Sequence, residues 1–327
     1  MKVLQITTNY PTKQNPIFGI FMKEQVESLE KFGVENTIFF SDASNTRIKK
    51  DGGGTLIHLK SVFKLQWHLL THRYDLIHCH SSISGLILLA SGWALFRKCV
   101  VSFQNDPTIG TDGVFFKILY RVFNRSIVKS TSVLGLRKLD YLPNGVDMDF
   151  FKPMDKNMCK KKLGLEINKD YILFVDSNSG KKRIQKRKDR FEEVLNILRN
   201  EYGRKNLEEL VMIGVKRNDV PLWINACCLH LLCSDQEGSP NSVKECLCCN
   251  VPCVTTSVGN VHDMLDDAPE CYVSKSFNAS ELAELVNKSL LEHTTSLDLR
   301  CVVKNKLLDK ESVSRKLFNI YTEIVKD

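Results

Sequence analysis

No run in this chain of 327 residues is apolar for long enough to cross a bilayer. The longest, Gly85 to Phe96, falls short of the roughly 20 residues a spanning helix needs and reads as a buried helix. No secretory signal is visible, because the N-terminus enters a strand pattern directly. No internal repeat stands out, and no glycine-rich phosphate loop opens the chain: the first polar loop, Asn9 to Gly19, holds only Gly19. The basic residues are not interleaved with aromatics and no nucleic-acid motif accompanies them, which argues against a nucleic-acid partner. These absences leave a globular chain handling a small or surface-bound substrate, long enough for two domains.

What is present is a modest positive excess, 46 basic against 38 acidic residues, for a net charge of +8. That balance fits phosphate-bearing ligands or an anionic membrane surface. There are 12 cysteines. Without a secretory signal, they point to a reducing compartment and free thiols. Cys246, Cys248, Cys249 and Cys253 crowd together, with Cys227, Cys228, Cys233 and His230 upstream, but a pair of Cys-x-x-Cys knuckles is lacking. Cysteine is also a small core residue, and the cluster is read as structural, with no metal.

The chain opens strand, loop, helix, strand: Val3–Thr8, a loop to Gly19, a helix from Ile20 ended by Gly33, and Val34–Phe40. This is the start of a doubly wound sheet, whose ligands bind beyond the carboxyl ends of the strands. Asp51–Gly54 reads as a flexible turn. Tyr74–His80 and Cys99–Asp106 read as further strands, the first ending at His80. Phe115 to Val128 reads as one apolar helix, with Arg121 and Arg125 on its polar side. Asn144-Gly145 forms a tight turn. Asp155–Lys162 reads as linker and helix, and Tyr171–Val175 as the first strand of a second sheet. A polar loop with a dense basic run follows, Asp176 to Lys188, leading into the helix Phe191–Leu198. Cations there can face a diphosphate; a solvated charge run is the plainer alternative.

Further on, Leu210–Gly214 is a strand with a glycine exit, and Val220–Ala226 is a helix. Two short buried strands, Leu229–Cys233 and Val251–Thr256, then enclose the stretch Glu237-Gly238-Ser239-Pro240-Asn241-Ser242-Val243-Lys244-Glu245. Ser239 suits an N-cap and Pro240 the first helical position. A loop and helix start of this kind offer backbone N–H groups to an anion. Glu245 can accept two hydrogen bonds from a ribose diol, and Glu237 can take sugar hydroxyls. The residues alone fit a plain capped turn with two solvated glutamates equally well. Asn250 stands where the helix must end and tolerates the left-handed turn required there. Ser280–Leu291 and Ser312–Val325 are amphipathic helices.

Glu237 to Glu245, followed by Cys-Leu-Cys-Cys-Asn-Val-Pro-Cys-Val-Thr-Thr-Ser-Val-Gly-Asn-Val, resembles the Glu-x7-Glu signature of retaining glycosyltransferases with the GT-B fold. The similarity is to the large bacterial group called glycosyltransferase family 4. Pro143-Asn144-Gly145-Val146-Asp147 resembles a second signature of that family, and Asp75-Leu76-Ile77-His78-Cys79-His80 a third. Departures are Gln104-Asn105 in place of histidine-glycine, Asp263 in place of glutamate, and the single Gly19. Gln104 can hydrogen-bond a sugar but cannot carry a proton at neutral pH.

The resemblance implies an α/β chain of two Rossmann-like domains, their parallel sheets facing an interdomain cleft. Residues 1–152 would form an acceptor-binding domain and 153–309 a nucleotide-sugar-binding domain. The helix of 310–327 would pack back on the first. It implies a retaining, metal-independent transferase of hexosyltransferase type, with no Asp-x-Asp pair near the site. The donor would be a nucleotide sugar, UDP- or GDP-linked, with no further cofactor. The acceptor would be a glycan or a lipid-linked one in bacterial cell-surface polysaccharide synthesis. The catalytic set would be Glu237, Lys186 and Arg183, with Lys181 or Lys182 as substitutes for Arg183. Glu245, Gly238, Ser239, Asn241, Ser242 and Gly19 would bind the donor, and Gln104 and His80 would line the sugar and acceptor cleft. A cytoplasmic location is expected, with peripheral contact on the inner face of the plasma membrane allowed. The alternatives are a catalytically silent nucleotide-sugar-binding protein, suggested by Gln104, and a GT-B phosphorylase.

Overall fold

The computed structural model describes residues 1–13, 15–41, 53–105, 112–130, 136–176, 184–292 and 297–327. The chain divides into two compact units. The first is Met1–Asn144 together with Glu311–Asp327, and the second is Gly145–Lys310. The break therefore comes after Asn144, in the Asn-Gly turn, rather than after residue 152.

In the first unit, β1 (Lys2–Thr7), β2 (Glu35–Phe40), β3 (Leu76–Cys79), β4 (Cys99–Ser102), β5 (Arg125–Val128) and β6 (Leu139–Tyr141) form one sheet in the order β2-β1-β3-β4-β5-β6. Every pairing is parallel. Successive side chains of a strand point to opposite faces, so the buried runs feed two cores at once. Leu4, Ile6, Ile77 and Val101 pack with Leu65, Leu88 and Leu119 of the helices α2 (Gly53–Thr71), α3 (Ser82–Ala90) and α4 (Asp112–Val122). Val3, Leu76, Val100 and Ile127 pack instead with Leu29 of α1 (Ile20–Glu30) and with Leu317, Ile320 and Tyr321 near the chain end.

Two readings from sequence are corrected here. Gly53 and Gly54 are not in a turn but open the 19-residue helix α2. They sit in the first turn, where a helix end tolerates poor helix formers best. Phe115–Val128 is not one helix: α4 stops at Val122 and β5 begins at Arg125. Asn124 makes the break. Its side chain accepts from the Cys99 N–H at 2.9 Å, and its own N–H donates to the Cys99 carbonyl at 3.0 Å. The chain is thereby fastened to the start of β4 and must continue as a strand.

In the second unit, β7 (Asp170–Asp176), β8 (Leu207–Ile213), β9 (Leu229–Leu232), β10 (Cys253–Thr255) and β11 (Tyr272–Val273) form a parallel sheet in the order β11-β10-β9-β7-β8. Around it stand α5 (Lys156–Lys162), α6 (Lys188–Asn200), α7 (Val220–Asn225), α8 (Asn241–Cys248), α9 (Val261–Leu265), α10 (Ala279–Leu291) and α11 (Arg300–Asn305). The last helix, α12 (Lys310–Lys326), belongs to the first unit from Glu311 onward.

Eleven of the 12 cysteines are buried, Cys301 being exposed, and those crowded about β9, α8 and β10 are divided between the two faces of this sheet. Cys227, Cys246, Cys248, Cys249 and Cys253 lie on one face, Cys228 and Cys233 on the other. Burial pushes the Cys233 and Cys248 thiols up to about 12, so they are held as neutral thiols. Among the described residues, no group of three or more His, Cys, Asp or Glu is placed to hold a metal ion. Asn250 takes the left-handed conformation expected of it, with φ of 56°, and ends α8.

Candidate functional site

The candidate site lies where β9 leaves the second sheet and turns into α8. The turn is fixed from inside. On β9, His230 Nδ1 lies 3.0 Å from the Leu173 carbonyl and must donate to it, which leaves Nε2 to accept from the Ser242 hydroxyl at 3.0 Å. Burial holds this imidazole down at about 4, so it stays neutral and keeps that tautomer. The first turn of α8 is thus fastened to the sheet by a side chain that does not titrate near neutral pH.

The helix begins one residue later than the sequence suggests. Asn241 is its first residue, Pro240 takes the capping position, and no side chain caps it. Ser239 is engaged elsewhere, its hydroxyl accepting from Lys244 Nζ at 2.9 Å. Lys244 is fully buried. It stands one helical turn before Leu247 and Cys248, so the helical period itself sends it inward. The N–H groups at the start of α8 are therefore left without a side-chain cap. Beside them, Asn241 Oδ1 is buried without a hydrogen-bond partner.

Each glutamate of the signature is matched to a cation. Lys186, in the 3-10 turn Ile184–Lys186, donates to Glu237 Oε1 at 2.5 Å, and the Ser234 hydroxyl donates to the same oxygen at 2.8 Å. Arg217 donates to Glu245 Oε1 at 2.6 Å, with its guanidinium 4.7 Å from the Phe151 ring centre. Glu245 is 7% exposed, so this pair meets largely out of water. Gly238 lies under the next loop. A Cβ on Gly259, whose φ is 55°, would come within 2.2 Å of the Gly238 carbonyl oxygen. The Asn260 N–H donates to that carbonyl at 3.1 Å.

Among the described cations beside Lys186, Arg187 pairs with Asp189 and Asp235, and Arg190 with Asp235 and the Cys233 carbonyl. These contacts tie the start of α6 to the loop after β9 and so place Lys186 beside Glu237. Arg183, with its substitutes Lys181 and Lys182, lies outside the described residues.

The other expected site residues are in the first unit. Gly19 precedes α1 with φ of 69°, and a Cβ there would lie 2.4 Å from the Asn9 carbonyl oxygen. Its backbone packing alone requires glycine. His80 is 3% exposed, lies against His78 with ring centres 3.8 Å apart, and donates through Nε2 to Gln5 Oε1 at 2.6 Å. Gln104 donates to the His80 carbonyl at 3.2 Å. The two residues read as cleft lining thus touch each other, and the His80 ring is engaged within the sheet. Sequence reasoning missed Arg217 and Lys244. The signal for Arg217 was available, since it follows the glycine exit of β8 at a carboxyl edge of the sheet.

Residues 186–292 match the family model of "Glycosyl transferases group 1", a span that begins at Lys186 and includes the whole of α8. That span is of the group 1 type, and the fold is GT-B. The chain is 23% identical over 348 residues to a Bacillus subtilis (strain 168) protein, TuaC, named as a teichuronic acid biosynthesis glycosyltransferase, with 88% of this chain and 89% of that protein covered. It is 25% identical over 244 residues to the UDP-Gal:alpha-D-GlcNAc-diphosphoundecaprenol alpha-1,3-galactosyltransferase of Escherichia coli, with 61% and 62% covered. Its fold is that of Anabaena Alr3699/HepE, solved in complex with UDP-glucose, at a TM-score of 0.71, 15% identity and 99% and 100% coverage.

Proposed function

We propose that this group 1 glycosyltransferase moves a sugar from a nucleotide-sugar donor, UDP-linked, to a glycan or lipid-linked acceptor in bacterial cell-surface polysaccharide synthesis. Anomeric configuration would be retained. The observation that carries the reading is the arrangement about α8: an uncapped helix N-terminus with a carboxylate on either side, each already matched to a cation. The relatives supply the chemical class. One is named for a UDP-galactose donor and a diphosphoundecaprenol-linked acceptor, and HepE was solved with UDP-glucose. A lipid-linked acceptor would bring the enzyme to the inner membrane face. Among the described residues no helix is long and apolar enough to cross a membrane, so contact there would be peripheral.

In this mechanism Glu245 accepts the ribose hydroxyls, and Arg217 holds its carboxylate in place. Asn241 Oδ1 accepts from a donor hydroxyl. As the glycosidic bond breaks, the electron pair leaves with the nucleoside diphosphate. The N–H groups of residues 241–243 and the Lys186 ammonium stabilise the charge that develops on it, without a metal ion, and Arg183 adds a second cation. Glu237 orients the sugar. The acceptor hydroxyl attacks from the face of departure and gives its proton to a phosphate oxygen.

Calorimetric titration with UDP, GDP, ADP and their common sugar conjugates tests the donor site. Saturable UDP binding is expected, weakened at least about tenfold in Glu245→Ala, in line with about 1.5–3 kcal/mol for hydrogen bonds to a charged group. Unchanged affinity for every nucleotide in that variant would remove Glu245 from the ribose site. No binding of any nucleotide by the wild type would overturn the donor assignment.

A further inference from the structure

We propose that the outer face of α2 is a docking surface for an anionic lipid bilayer. It deepens the membrane-side part of the reading above, and its test involves no glycosyl transfer. Helix α2 has two apolar faces. Leu65 and Leu69 point into the core of the first unit and are buried. Leu59, Phe63, Trp67 and Leu70 point away from it and are between 54% and 71% exposed. On a helix of 3.6 residues per turn, those four positions fall within an arc of roughly 80°. They form a continuous stripe, not scattered exposures.

The charge pattern decides what covers the stripe. Lys60 and Lys64 follow it round the helix and are exposed. Neither α2 nor α3 carries an aspartate or glutamate. An apolar stripe bordered by lysines, with no acid on its own helix or on α3, is the pattern of a helix lying in the bilayer interface: the rings and leucines enter the acyl boundary while the lysines meet anionic headgroups. A second copy of the chain is the weaker occupant. A two-fold interface of α2 on α2 would bring the same lysines from both sides, with no carboxylate on either helix to receive them. An exposed patch of this kind calls for a partner.

The experiment uses the full chain and vesicles of phosphatidylcholine, with or without roughly 30% phosphatidylglycerol. Flotation and Trp67 fluorescence are read together. The wild type is expected to float with the anionic vesicles, with a blue-shifted emission, and to bind neutral vesicles at least about tenfold more weakly. Phe63→Ser/Trp67→Ser should lower flotation at least about tenfold, and Lys60→Gln/Lys64→Gln should remove the preference for anionic lipid. All four side chains are exposed, so these variants should fold and bind UDP as the wild type does. Wild type that stays at the bottom of the gradient would overturn the proposal. So would equal flotation of the Phe63/Trp67 variant, or a wild-type dimer in sedimentation that the same variant dissolves. UDP binding by every variant separates failure here from failure of the donor-site reading.

Discussion

Lys186 and Glu237 meet at 2.5 Å with side chains only 13% and 17% exposed, so neither charge is well solvated. In the proposed mechanism the departing diphosphate would give the lysine an anion to serve beyond the glutamate. Replacing it with alanine should therefore act on the transition state more than on the bound donor: turnover is expected to fall about 10²- to 10³-fold, with donor affinity changed by less than about tenfold. Steady-state rates and titration of Lys186→Ala check this, and a wild-type rate would take Lys186 out of the mechanism. Glu237 and Glu245 were legible because a short sequence pattern carries them, and Lys186 because the family resemblance extends to the basic run. Arg217 was missed: it follows the glycine exit of β8, but the carboxylate that gives it a role lies 28 positions further on. Nor was the role of Ser239, whose hydroxyl is taken by a buried lysine five residues on, so the cap expected from its residue type is absent.

At the scale of elements, buried strands announced themselves and helix limits did not. β7, β9 and β10 are apolar runs between polar loops, which no other element explains. α2 was hidden because its apolar residues occupy two faces instead of one, and a glycine cluster stands at its start. β5 was hidden because Phe115–Val128 is largely apolar, and only the pairing of Asn124 with Cys99 divides it. The loop 257–260 shows how one element sets another. Its Gly259 lies on the Glu237–Gly238 backbone in a conformation that costs an L-residue about 1–2 kcal/mol. Gly259→Ala adds a methyl group that must displace that backbone. It should lower stability by about 1–3 kcal/mol and weaken UDP binding, although no group that would touch the nucleotide is changed. Urea midpoints and nucleotide titration check the two effects, and an unaltered variant would show that the loop does not set the site.

For the whole molecule, three buried histidines fix how stability responds to acid. Burial lowers His78 to about 3 and His230 to about 4, and drives His80 well below its ordinary value. The unfolded chain begins to bind protons at these positions near pH 6.5, while the folded chain refuses them until close to pH 4. Their contribution is complete above about 6.5 and is lost as pH falls toward 4, at about 1.4 kcal/mol per pH unit for each histidine. Two of them lie in the first unit and one in the second, so these histidines make the first unit the steeper of the two. Urea unfolding at several pH values, followed by hydrogen exchange in each unit, measures both slopes. His230→Gln should flatten the second alone, and equal slopes would count against this account. The first unit is also discontinuous in sequence, since Leu317, Ile320 and Tyr321 of α12 cover Val3, Leu76 and Val100 of its sheet. On the ribosome, that face must wait while all of 145–310 is synthesised, on the order of 10–30 s at 5–20 residues per second. The unit whose chain emerges first is therefore the one finished last, and its bare sheet face is what a nascent-chain chaperone would meet.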